Sequence, residues 1–147
     1  MTLDEILIVV RQRVGQAVAD IGGEPPIYSD EFLVSYINTA NLELTVLGVS
    51  TGVEIDTTAI SMSADASTAI GMLLAYTAAV ALIGDDMIYR LKNGELGLSF
   101  TSGATSINTN QAAGVLRDFS KTLLQRRDLL LSAYLSGDPN GVLSRIT

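Results

Sequence analysis

From Ala66 to Gly84 the chain runs nineteen residues without a charged side chain, which is the length of a membrane span. Whatever the chain folds into has to cover this segment with lipid or with other helices. Asp65 precedes it and Asp85-Asp86 follow it directly, and no Lys or Arg stands at either edge. Six alanines, three hydroxyl residues and two glycines also lower its hydropathy. A span is expected to carry basic and aromatic anchors at its ends. The segment therefore reads better as the central helix of a bundle, apolar on most sides because neighbours surround it. A small membrane-spanning protein using residues 66–84 is the alternative reading.

The rest of the sequence supplies those neighbours. Thr2 and Glu5 form a capping box, and Leu3, Ile6, Leu7, Val10, Val14, Ala17 and Val18 follow at helical spacing, which predicts a first helix over about 3–19. Ile8 and Val9 fall off that stripe, so its first half is apolar on two sides. Gly22-Gly23 and Pro25-Pro26 stop it. Ser29 caps a second helix with Asp30 and Glu31 in its first turn, where the helix dipole favours anions. Its apolar face is Phe32, Leu33, Tyr36, Ile37, Ala40, Leu44 and Leu47, and Asn38, Thr39 and Asn41 read as solvated or packing positions.

Residues 48–65 form an unusually long connection, with a brief strand-like alternation at Val53-Glu54-Ile55-Asp56. A third helix is predicted over about 66–92, with Asp86 and Arg90 spaced for an ion pair and Asn93-Gly94 as its stop. Leu96, Leu98 and Phe100 alternate with small residues and, with Ile107, predict a small hairpin. The last helix carries Leu116, Phe119, Leu123, Leu130 and Tyr134, broken at Arg126-Arg127, and stops near Gly137-Asp138-Pro139. The fold class expected is mainly α: about four helices, a long buried central one, a small β-hairpin before the last, and an extended C-terminal tail. Residues 1–136 form the helical domain and 137–147 the tail.

Function is narrowed mostly by exclusion. The chain has no cysteine and no histidine, which removes disulfides, thiolate or imidazole zinc sites, cysteine nucleophiles and histidine bases. Neither a P-loop nor a dinucleotide-binding glycine pattern occurs. Asp85 and Asp86 are adjacent on a helix, so they point about 100° apart and do not converge as a dyad. The expectation is a non-enzymatic protein without cofactor or metal, although an enzyme working through carboxylates is not removed by this reasoning. A net charge of -7 argues against general binding to the nucleic-acid backbone. That charge is uneven: residues 1–86 sum to -10 and residues 87–147 to +3. Opposite charges at two ends suit head-to-tail contacts between copies, or a solvated surface. The start, Met1-Thr2-Leu3-Asp4-Glu5, has no basic segment or cleavage site, so no signal peptide is expected.

The order of elements adds one more reading. A capped helix is followed by Ile27-Tyr28-Ser29-Asp30-Glu31-Phe32-Leu33-Val34-Ser35-Tyr36-Ile37-Asn38-Thr39-Ala40, then a long alanine-rich helix, a Ser/Thr/Gly hairpin over Gly97–Ile107 and a charged last helix over Gly114–Leu135. This resembles the head-tail connector, or adaptor, proteins of tailed bacteriophages, over most of residues 1–136 and by type and order rather than by an invariant signature. The resemblance implies a virion protein made in the host cytoplasm and placed at the capsid-tail junction. It implies no enzymatic activity and a dodecameric ring that binds the portal protein and the next connector or tail component. Such a ring encloses DNA without sequence-specific binding and touches no membrane. Val142, Leu143, Arg145 and Ile146 then become candidates for portal docking, and Leu98, Phe100, Ile107, Val53 and Ile55 for ring or tail contacts.

Overall fold

The computed structural model describes residues 1–24, 26–94 and 109–137. Four helices account for most of them: α1 Leu3–Asp20, α2 Asp30–Val46, α3 Thr68–Lys92 and α4 Thr109–Ser136. A two-stranded antiparallel hairpin, β1 Ile55–Asp56 and β2 Ser61–Met62, lies between α2 and α3. The mainly helical class expected from the sequence is the one observed. The hairpin comes earlier in the chain than the expected one; the segment with Leu98, Phe100 and Ile107 lies outside the described residues, as does the tail.

The helix starts follow from local chemistry. Thr2 accepts from the Glu5 amide while the Glu5 carboxylate accepts from the Thr2 amide, at 3.2 and 2.7 Å, so two otherwise orphaned donors are satisfied. Ser29 accepts from the Phe32 amide and Ser67 from the Ile70 amide, each at 3.2 Å. The whole expected stripe of α1, from Leu3 to Val18, is buried.

Helix α3 is the centre of the molecule. It packs against α1, α2 and α4, and Leu73, Leu74, Ala75, Tyr76, Ala78 and Ala79 are fully enclosed. By length and composition it could cross a membrane, yet 72% of its most apolar window is buried inside the molecule. Burying large aliphatic side chains such as Leu73 and Leu74 contributes about 1.5–3 kcal/mol each, and the alanines that follow them contribute less. Arg13 of α1 lies over the ring of Tyr76, 5.5 Å from its centroid. Between Ile83 and Met87 the helix widens into a π turn, and the α-helical pattern resumes at Ile88.

The connection from α2 to α3 is ordered by one buried amide. Asn41 of α2 donates from Nδ2 to the Val53 carbonyl at 3.1 Å and accepts from the Thr51 hydroxyl at 2.6 Å. Asn41 is thus a core residue, and its polarity serves the loop. In the hairpin turn the Asp56 carboxylate accepts from the Thr58 and Ala59 amides, both at 2.9 Å. Ile60 follows with φ of 51°, a left-handed conformation that costs a β-branched residue about 1–3 kcal/mol. Ile60 packs against the core, which offsets that cost.

Candidate functional site

The N-terminal half of α2 faces the π turn of α3, and between them the protein concentrates its aromatic and acidic groups. Phe32 and Tyr36, four residues apart, lie on one side of α2, and Tyr28, just before the Ser29 cap, stacks against Phe32. Tyr28 and Phe32 lie 5.0 Å apart and nearly parallel, and Phe32 and Tyr36 lie 5.3 Å apart and tilted. Arg11 of α1 anchors the start of the ladder by donating to the Tyr28 carbonyl at 3.3 Å and pairing with Asp30.

On the α3 side, the π turn presents Asp85 and Asp86. Asp86 accepts from Arg90 Nε at 2.7 Å, and the Arg90 guanidinium lies 5.8 Å from the centroid of the Tyr28 ring. Tyr28 is buried and its hydroxyl makes no hydrogen bond of regular geometry. Burial first, then the nearby Asp86 carboxylate, push its pKa well above the usual phenol value. Tyr36 is shifted the same way, by burial first and then by Asp85 and Asp86. Both phenols therefore stay neutral near pH 7, and neither is activated as a nucleophile or base.

Asp85 is exposed and forms no ion pair among the described residues. Together with Ser35, Tyr36, Thr39 and Ala81 it lines an open cleft of about 370 Å³. A carboxylate beside an aromatic face is a suitable place for an ammonium or guanidinium group. Next to this cleft, the outer stripe of α2 continues with Leu42 and Val46, 60% and 87% exposed. On α4 the outward stripe is Arg117, Lys121, Gln125, Leu129 and Ser132, with Leu129 55% exposed. Among the described residues no group of three or more acids is arranged to hold a metal ion.

The residues singled out in the sequence fall elsewhere. Val53 is buried in the core, so its side chain is not offered to a partner, and Ile55 in β1 is half-buried against that core. What the hairpin does expose is polar: Glu54, Asp56, Thr57, Ser61 and Ser63 surround a second open cleft, of 450 Å³, against Ile55. Leu98, Phe100, Ile107, Val142, Leu143, Arg145 and Ile146 lie outside the described residues. The sequence put Phe32 and Tyr36 on one face of α2, but showed neither the stacking of Tyr28 against Phe32 nor the π turn that brings Asp85 and Asp86 alongside.

No protein-family model matches the chain, and comparisons with curated proteins and with solved structures likewise find no match.

Proposed function

We propose that this chain is a non-enzymatic structural protein of a tailed-phage virion, a head-tail connector that forms a ring between the portal and the next connector or tail component. The observation that carries the reading is where the molecule spends its outward apolar surface. Ile27, Leu42, Val46, Leu129 and Leu135 are large aliphatic side chains left exposed around a well-filled core, and Leu42 and Val46, four residues apart, form one apolar stripe on α2 suited to a helix of a partner. The sequence resemblance and the split of charge between the two parts of the chain support the same reading. In it the protein carries no cofactor, lies at the capsid-tail junction, and surrounds DNA without reading its sequence.

Electron microscopy of purified particles tests this. The chain is expected as a ring between capsid and tail, and complete particles assembled without it would overturn the proposal.

The length and hydropathy of α3 favour one other reading, a small holin-like membrane protein. Recovery of the intact chain in a detergent-free soluble fraction is the result expected of the connector; recovery only with the membrane fraction is that expected of the alternative.

A further inference from the structure

We propose that the outer face of α2, together with the Tyr36–Asp85 cleft beside it, receives α4 of a second copy of this chain. Lys121 of the second copy enters the cleft, and its Leu129 seats between Leu42 and Val46.

Charge and spacing both lead to this occupant. The cleft offers an exposed carboxylate and a half-buried phenol ring. Lys121 and Arg117 are exposed on α4 and form no ion pair among the described residues, so each keeps a cation available. The apolar positions agree in register with the charged ones. On α4, Leu129 stands eight residues beyond Lys121, about 12 Å along the axis at about 1.5 Å per residue. On α2, Leu42 and Val46 stand six and ten residues beyond Tyr36, about 9 and 15 Å along. With the two helices parallel and Lys121 at the cleft, Leu129 falls midway between Leu42 and Val46. A leucine set between two apolar residues four apart on the facing helix is the knob-into-hole arrangement by which helices interlock.

The two faces belong to different helices, so each copy keeps one face of each kind free after pairing. Contacts of that kind are heterologous and propagate from copy to copy. The inference rests on the connector reading only for closure of this contact into a ring.

The absence of cysteine makes the test direct, because a single introduced thiol is unique in the chain. One purified full-length chain carries Leu42→Cys and another, distinguished by a tag, carries Leu129→Cys. Mixed at high protein concentration under mild oxidation, they are expected to give a mixed disulfide dimer, with little product from either chain alone. Lys121→Glu in the Leu129→Cys chain should abolish the product, and Asp85→Lys in the Leu42→Cys chain should restore it. Helical circular dichroism of each variant verifies that it is folded. Absence of the mixed product, a dominant Leu42→Cys self-dimer, or failure of the charge reversal to restore cross-linking would each overturn the inference. Particle imaging addresses the virion role separately, so either proposal can fail while the other stands.

Discussion

Arg127 Nη1 of α4 donates to Glu43 Oε1 of α2 at 3.1 Å, joining residues 84 apart in sequence. The same guanidinium pairs with Asp128 at 2.8 Å, and Arg127 is only 9% exposed. Its role is therefore unequal to that of its partner, whose carboxylate is half in solvent. Arg127→Ala removes buried packing as well as charge and is expected to cost about 1–3 kcal/mol, in the range of hydrogen bonds to charged groups. Glu43→Ala leaves Arg127 still paired with Asp128 and should cost less than about 1 kcal/mol. Urea denaturation of both variants measures the difference; equal losses would contradict it.

Asn41 satisfies both the Val53 carbonyl and the Thr51 hydroxyl from within the core. Asn41→Ala strands those groups and should destabilise by about 1–3 kcal/mol. Hydrogen exchange should quicken first in residues 49–63. Unchanged protection there would show that the loop does not depend on this amide.

Two glycines in helices respond oppositely to the same substitution. A Cβ on Gly71 would stand 2.8 Å from Met1 Cβ, and Met1 is tied to Ala66 through its carbonyl, which accepts from the Ala66 amide at 2.9 Å. Gly71→Ala is therefore expected to lower stability by about 1–3 kcal/mol through overpacking. Gly114 of α4 has no heavy atom within 4 Å of such a Cβ, so Gly114→Ala should raise stability by about 0.5–1 kcal/mol. Thermal melts of the pair should move in opposite directions.

The shifted phenols predict a sign for alkaline pH. Tyr28 ionises higher in the folded protein than in the unfolded chain, so above about pH 10 the unfolded state releases its proton first. The folded state then holds more protons, and stability falls as pH rises. Below about pH 10 both states are protonated and Tyr28 adds no slope. Tyr28→Phe should flatten the decline, and an unchanged slope in alkaline denaturation curves would assign it to other groups.

What could be read from the sequence was what adjacent residues decide among themselves. The Thr2–Glu5 box, the Ser29 cap and the stripe of α1 depend on contacts within one or two turns, and they stand as expected. Positions answering to distant partners were only partly legible. Asn41 looked like an interruption of an apolar face because the loop it holds lies ten and twelve residues further on. Arg127 looked like a break in the α4 stripe because Glu43 is on another helix. Leu47 was expected on the buried side of α2, but the helix ends at Val46 and the residue is 42% exposed. The alternation at 53–56 hinted at a strand, yet its partner Ser61–Met62 depends on a left-handed Ile60, which residue preference argues against. As for the candidate site, the shared face of Phe32 and Tyr36 was legible, whereas Tyr28 stacks on it from outside the helix and the acidic side of the cleft depends on a local change of helix pitch with no sequence signature of its own.

That change of pitch leaves a mark on ancestry. A π turn accommodates one more residue than the α-helix on either side of it, and each α-helical residue turns the chain by about 100°. Deleting a single residue within 83–87 would let this stretch close into an ordinary α-helix and leave Ile88 to Lys92 on their present faces. Leu91 would stay in the core and Tyr89 would stay exposed, because the apolar positions before and after the turn, Leu82, Ile83, Met87 and Leu91, would then fall at regular helical spacing. A homologue with an unbroken helix would thus align to this chain with a one-residue gap at that point, and with the apolar positions on both sides of the gap matched. The π turn confines the extra residue to one wide turn, so the packing of the core beyond it does not have to be rebuilt.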